Sequence, residues 1–442
     1  MESYDLLVIG AGPAGCMAAG QAARRGLSVL LVERNRRPAR KILVTGKGRC
    51  NVTNNCEPQE LIRQVKTNGR FLYTAFHRFT AQDAMAFFES LGIPLKTERG
   101  NRVFPVSDRA MDIADGLIRY IQHSNICLAA GWRARELLLE GDRVAGLVCE
   151  GEQGERQIFR AASYLVATGG KSYPLTGSTG DGYRLAHQAG HTIEPVKPSL
   201  IPIELKDSFC GELMGLSLKN VQLTVWELPE ERKADGSDRE MEKGRSGDKK
   251  TRKGRGTVFS EQGEMLFTHF GVSGPLVLSA SSYMGREVER YAMEVNFKPA
   301  LTPEQLDARL LRDFEKYANR NFDNALQDLL PRLLIPVVVR LSEIGGETKV
   351  HQITRLQRRK LAELLQHFSL HPKRFRPIEE AVITSGGVCV KEIDPKTMAS
   401  KLCPNLYFAG EVMDVDGFTG GYNLQIAYST GFLAGTSVPG RR

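Results

Sequence analysis

Gly10, Gly12 and Gly15 stand in the spacing Gly-x-Gly-x-x-Gly, and the acid Glu33 follows them further along the chain. Glycines so spaced serve phosphate recognition. Gly10 makes a tight turn, Gly12 lets backbone approach a pyrophosphate, and Gly15 lets a helix close on a strand. With Pro13 and Ala14 they form a cradle at a helix start, where free N–H groups and the helix dipole favour negative charge. Glu33 is spaced to reach the ribose hydroxyls of an adenosine. An acid there disfavours a 2′-phosphate, so the expected ligand is FAD or NAD rather than NADP.

The flanking elements fit that use. Leu6, Leu7, Val8 and Ile9 form an apolar run of buried parallel-strand character. Ala18, Ala19, Ala22 and Ala23 then make a helix of small side chains, Gly26 stops it, and Val29–Val32 form a second strand ending at Glu33. A glycine triplet alone arises by chance in a chain with 44 glycines. The full strand–helix–strand–acid sequence makes this a dinucleotide site.

Composition narrows the class. A chain of 442 residues with 41% hydrophobic content accommodates two or three packed domains. No apolar run reaches membrane-spanning length, and Met1–Asp5 carries no basic leader, so a cytoplasmic protein is expected. Its eight cysteines form no CxxC pair and suit a reducing compartment. The net charge of +9 comes largely from Lys243–Arg255, with seven basic residues against one acid. That stretch has no aromatic residue to stack on a base, so it reads as a solvated insertion and argues against a nucleic-acid partner. His187 and His191 have the spacing of a helix-borne metal pair. Gly190 falls between them and no carboxylate or thiol pattern completes a ligand set, so no metal is expected.

Residues 58–66, 80–91 and Met111–Ile121 show helical spacing. Ile126–Ala130, Ala134–Leu139, Arg143–Cys149 and Ala162–Val166 read as strands, with Gly141-Asp142 as a turn. Lys41–Asn55 reads as loop beyond Val44. From Pro195 the pattern changes to strands (Leu216–Trp226, Thr257–Phe259, Met265–Thr268). Helical pattern follows from the N-cap candidate Thr302 to about Phe368, broken at Pro331 and Pro336. Strand–helix elements of the first domain are expected to return at Ala381–Ile383 and Leu406–Ala409. The fold class is therefore α/β: a Rossmann-like dinucleotide domain (1–194 and 373–442) with an insertion at 195–372. The insertion is β-rich over 195–300 and helical over 301–370.

Four blocks carry a resemblance. They are the N-terminal fingerprint; Lys41-Ile-Leu-Val-Thr-Gly-Lys-Gly48-Arg49-Cys50-Asn51-Val-Thr-Asn54; Ala167-Thr168-Gly169-Gly170 with Ser172-Tyr173-Pro174; and Thr384–Val388 with Gly410-Glu411-Val-Met-Asp414 and Thr419-Gly420-Gly421-Tyr422-Asn423. Together they resemble the HI0933-like flavoproteins, which include bile-acid-pathway reductases and aminoacetone oxidases. Thr45 and Lys47 depart from the Ser and Gly usual in the second block. The resemblance implies FAD rather than NAD. It places Arg34, Lys41, Gly48, Arg49, Cys50, Asn51, Thr168, Gly169, Gly410, Glu411, Asp414 and Gly420–Asn423 around the cofactor beside the fingerprint residues. Glu411 and Asp414 would handle ribityl or pyrophosphate oxygens. The N–H groups of Gly421, Tyr422 and Asn423 would face the flavin edge where charge develops on reduction.

One nucleotide fingerprint and no CxxxxC pair exclude a flavin disulfide reductase. NADH or NADPH, if it donates electrons, must dock transiently. His269 is the candidate proton donor or carbonyl polariser. Arg49 is the candidate partner of a flavin or substrate anion, with a structural carboxylate as its alternative partner. The expected activity is reduction of an enone C=C bond in a small steroid- or bile-acid-like substrate. Oxidation of a small amine with release of peroxide is the alternative, and an RNA-linked or redox-sensing flavoprotein is a third reading.

Overall fold

The computed structural model describes residues 4–229 and 256–440. The basic stretch Lys243–Arg255 lies outside the described residues. The chain forms two compact units, Met1–Ser199 with Pro377–Arg442, and Leu200–Arg376.

The first unit is built on a five-stranded parallel sheet. Its order is Leu406–Phe408, Ala161–Val166, Tyr4–Ile9, Val29–Glu33 and Ile126–Ala130. Val8 lies opposite Leu165 on one side and Leu31 on the other. Because both faces are covered, the central strand is buried at every position after Tyr4, which is why it reads as an unbroken apolar run.

The helix Pro13–Arg24 owes its small residues to close packing. A Cβ on Gly431 would lie 2.3 Å from the Ala14 carbonyl oxygen, and one on Gly435 would lie 2.4 Å from that of Ala18. The C-terminal helix Tyr422–Ser437 thus presses its backbone against the fingerprint helix. A small-residue seam sets the distance between them.

Two expectations are refined here. The strand expected at Ala381–Ile383 returns in the first unit as Ile383–Val388, where it pairs antiparallel with Ile193–Ser199 as a separate ribbon. The cause is local. Gly387 has φ +132°, and a Cβ there would meet the Val412 carbonyl oxygen at 2.6 Å. Lys41–Asn55 is also more ordered than a loop. Arg40–Gly48 forms 3-10 turns kinked at Thr45–Lys47, and Thr53–Asn54 pairs with Arg102–Pro105.

The second unit carries a seven-stranded antiparallel sheet. Its order is Phe368–Leu370, Tyr291–Asn296, Ser217–Glu227, Gly256–Thr268, Gly271–Ser273, Ile203–Leu205 and Pro372–Phe375. The two strands expected at Thr257–Phe259 and Met265–Thr268 are one, Gly256–Thr268, because Ser217–Glu227 pairs along its whole length. Thr302 and Thr354 each close a capping box, with Gln305 and Gln357. Pro336 sits in the first turn of the helix Ile335–Leu341, where its missing N–H costs nothing, rather than at a break. Each unit has its own apolar core.

Candidate flavin site

The three fingerprint glycines do different work. Gly10 has φ +101°, and a Cβ there would sit 2.7 Å from the Ala167 carbonyl oxygen. A Cβ on Gly15 would lie 1.8 Å from the Gly10 carbonyl oxygen, so any side chain would force helix and strand apart. Gly12 is the opposite case: nothing lies within 4 Å of its Cβ position. Open space therefore fronts the turn at the residue that must let a pyrophosphate approach.

Glu33, 8% exposed, braces this turn. One carboxylate oxygen accepts the Ala11 N–H at 2.8 Å; the other accepts the backbone and side-chain N–H groups of Asn35, both at 2.8 Å. Arg34 donates to Thr179 Oγ1 at 2.7 Å beside Asp181, which Arg133 holds with two bonds of 2.9 and 2.8 Å. Gly177 touches this corner, where a Cβ would meet Asn35 Nδ2 at 2.6 Å.

Glu411 gathers a second cluster from four segments. Lys41 Nζ donates to Glu411 Oε2 and to Ser172 Oγ, each at 2.8 Å. Glu411 Oε1 accepts the Thr384 N–H at 2.9 Å, and Thr384 Oγ1 accepts the Lys171 N–H at 2.8 Å. A Cβ on Gly170 would come within 2.6 Å of both Thr384 Oγ1 and Glu411 Oε1, so a side chain there would have to displace this cluster. Lys41 and Glu411 were legible as site residues. Ser172 and Thr384 were not, although both lie within blocks of the resemblance.

The third cluster joins the loop after Arg49 to the start of the C-terminal helix. Thr53 Oγ1 donates to Gln425 Oε1 at 2.6 Å, and Asn54 Nδ2 donates to the Gly420 carbonyl at 3.1 Å. Asn423 closes its own loop. It accepts the Gly417 N–H at 2.9 Å and donates to the Gly417 carbonyl at 2.8 Å. Gly421, φ +99°, is packed on Thr53 and begins the helix. The half-buried Tyr422 phenol is pushed up to about 12 by burial. Asp414 accepts from Asn68 Nδ2 at 2.9 Å, and burial raises its carboxyl above the ordinary range. Gly410 has φ +77° and donates its N–H to Thr430 Oγ1 at 3.0 Å.

Residues of this unit fit a bound dinucleotide on grounds independent of motif. Asn51 Oδ1 and Thr168 Oγ1 are buried and lack a hydrogen-bond partner among the described residues. Such atoms cost free energy unless something pairs with them. Gly48, like Gly12, has nothing within 4 Å of its Cβ position. A shallow surface pocket of about 320 Å³ is lined by Gly48 with Leu43, Arg109, Ala110 and Met111. Gly169, at φ +72°, continues the Thr168 turn.

The two candidates for chemistry, Arg49 and His269, and the cofactor-side candidate Cys50 have surroundings of their own. Arg49 Nη2 lies 2.5 Å from Glu98 Oε1 and 2.6 Å from Asp108 Oδ1, with its guanidinium 4.1 Å from the centre of the Phe104 ring. Two carboxylates therefore occupy it, the structural partner left open by sequence. Cys50 is buried at φ +60°, and burial pushes its thiol up to about 12, so it stays protonated. His269 belongs to the second unit, exposed in the turn between Gly256–Thr268 and Gly271–Ser273, its ring 5.0 Å from that of Phe270. His191 is buried against Ser400 Oγ at 2.8 Å and faces Glu392 at 3.2 Å, and burial lowers its pKa. No group of three or more metal-ligating side chains forms among the described residues.

A glycine cradle at the C-terminal end of the central strand of a parallel sheet, a bracing acid and a latched C-terminal helix define a Rossmann-type FAD-binding oxidoreductase. The chain belongs to the HI0933-like family: the HI0933-like protein Rossmann domain matches residues 4–437. It is 30% identical over 439 residues to a 3-dehydro-bile acid delta(4,6)-reductase of Clostridium scindens, covering 98% of each chain. It is also 30% identical over 438 residues to the ribosomal RNA dihydrouridine synthase of Escherichia coli K12, covering 97% of this chain and 96% of that one. In fold it is similar to 3-ketosteroid delta1-dehydrogenase from Sterolibacterium denitrificans, with 13% identity, 99% coverage of both chains and a TM-score of 0.52. Among the described residues, no helix is long and apolar enough to cross a membrane.

Proposed function

We propose that this protein reduces a carbon–carbon double bond conjugated to a carbonyl, and that the bond belongs to a uracil base in RNA. One observation carries the reaction class. Two relatives of equal identity, each matched over nearly its whole length, are named for one bond change on very different substrates. A Δ4 bond is conjugated to the 3-ketone of a dehydro-steroid, and the C5=C6 bond of uracil is conjugated to its C4 carbonyl. Hydride adds to the β-carbon, charge moves to the carbonyl oxygen, and a proton then reaches the α-carbon. When bound, FAD supplies hydride chemistry, with NADPH or NADH as the transient donor.

The protein's tasks are to hold the cofactor and to meet the charge on oxygen. Gly12, Thr168, Asn51 and the Lys41–Glu411 cluster hold it. His269 is the sequence candidate for the second task, a role that substitution tests. The choice of RNA departs from the reading of the basic insertion alone. It is supported by the synthase relative together with the net charge of +9, since polyanion binding draws on such an excess. Reduction of a steroid enone is the second reading, favoured by the bile-acid reductase relative. The test is anaerobic oxidation of NADPH by the holoprotein, offered uridine-containing RNA, a 3-oxo-Δ4 steroid and an aliphatic amine in turn. RNA-dependent turnover with dihydrouridine in the digested product supports the proposal. Turnover with the steroid alone replaces it by the second reading, and peroxide formation from the amine replaces both.

A further inference from the structure

Within Leu61–Gln82 there is no aspartate or glutamate, yet the stretch carries Arg63, Lys66, Arg70 and Arg78. It also holds a large aromatic side chain in solvent. Tyr73 is 56% exposed, and the His77 ring stacks on it with centroids 4.1 Å apart and planes 28° from parallel. The pair is fixed by its backbone as well, because His77 Nδ1–H donates to the Tyr73 carbonyl at 2.8 Å. Arg63, Arg70 and Arg78 are exposed in the same stretch, and among the described residues only Arg63 of the three has an ion pair, a loose 3.4 Å contact to Glu60.

This segment is bonded at both ends to the element that carries Gly420–Asn423. Val65 and Thr67 pair with Gly417 and Asp416, the Phe418 N–H donates to the Gln64 carbonyl at 3.0 Å, and Asn68 donates to Asp414. Beyond the short helix Tyr73–Arg78, Gln425 Nε2 donates to the carbonyls of Phe79 and Thr80 at 3.0 and 3.1 Å. The exposed rings thus stand on a braced support next to the proposed flavin-facing loop.

We infer that Tyr73 and His77, flanked by Arg63, Arg70 and Arg78, form a docking platform for single-stranded RNA beside the reacting base. The inference rests on the uracil reading above. The chemistry is that of sequence-tolerant single-strand recognition. Cations track the phosphates, and a ring offers its face to whichever base lies next to the target. A uracil inside a helix is inaccessible to a flavin, so the neighbouring nucleotides must be held while the target is splayed out. A stacked Tyr–His pair suits that task, because its upper face is already oriented and loses little freedom on binding.

The test is fluorescence polarisation of the FAD-loaded protein with a labelled single-stranded RNA of about a dozen uridine-rich nucleotides, over a range of salt. Tyr73→Ala should weaken binding by about 5- to 100-fold, while Tyr73→Phe stays near wild type. Arg70→Gln with Arg78→Gln should lower the slope of log K against log salt by about 1.4. All three should keep wild-type flavin content and melting temperature. Equal loss in Tyr73→Phe and Tyr73→Ala, or no loss in either, overturns the platform. Tighter binding to anionic vesicles than to RNA, unaffected by Tyr73→Ala, overturns it in favour of a membrane surface. Wild-type protein that reduces RNA uridine with Tyr73 dispensable leaves the uracil reading standing without this platform. Wild-type protein that neither binds nor reduces RNA removes both.

Discussion

A Cβ placed on Gly421 would lie 2.4 Å from the carbonyl carbon and oxygen of Thr53. The loop that follows Arg49 and the start of the C-terminal helix therefore touch backbone to backbone, and Thr53 Oγ1 seals the contact on Gln425. Gly421 also has φ +99°, which an L side chain rarely adopts. Gly421→Ala combines strain with a clash and should cost at least about 2 kcal/mol. The expected result is a melting temperature lower by several degrees, with FAD lost on gel filtration. A variant with full flavin content would show that the latch does not shape the cofactor site.

Arg49 is expected to act through Glu98 and Asp108 rather than on substrate. Arg49 holds the Glu98 carboxyl below its usual range, and Lys96 with Arg49 does the same for Asp108. A depressed folded-state pKa adds stability above the unfolded value, roughly 4, and that stability is lost as pH falls through the folded value. Arg49→Met should flatten the acid limb of melting temperature against pH, while flavin absorbance and turnover at neutral pH persist. Turnover lost with stability intact would restore Arg49 to the chemistry.

Much of the first unit was legible because its signals are local. The fingerprint, its Ala-rich helix and Glu33 lie within one stretch, and a parallel strand buried on both faces reads as an apolar run. The latch and the Glu411 cluster were only half legible. Thr53 with Gln425, and Lys41 with Glu411, are partners from opposite ends of the chain, and nothing in their neighbours announces the pairing. The choice of partner for Arg49 stayed open in the sequence because Glu98 and Asp108 reach it only once the short strands near it pair. The pairing of the ribbon Ile383–Val388 was not legible because a glycine pair in a short strand gives no sign of which backbone it approaches.

The segment Lys233–Gly254 should be separable from the fold. The strands on either side already meet, with Glu227 opposite Gly256, so a short Gly-Ser linker closes the hairpin with little change in closure entropy. Flavin content and melting temperature should match wild type, and affinity for RNA should fall because cations are lost. A large drop in stability would show instead that the segment packs.

His269→Ala tests whether that side chain serves one half of the reaction. A donor that meets charge on the substrate oxygen contributes about 100- to 1000-fold when removed. Flavin reduction by NADPH does not develop that charge and should keep its rate, while reoxidation by substrate slows at least about tenfold. Equal slowing of both halves, or lost FAD, would assign His269 to the fold.

The most direct measurement is rapid anaerobic mixing of NADPH-reduced holoprotein with uridine-containing RNA, following the return of oxidised flavin absorbance. The account predicts reoxidation by RNA at a rate that rises with its concentration, yielding dihydrouridine, and none by RNA in which uridine is already reduced. Flavin that stays reduced with RNA but reoxidises with a steroid enone would contradict it.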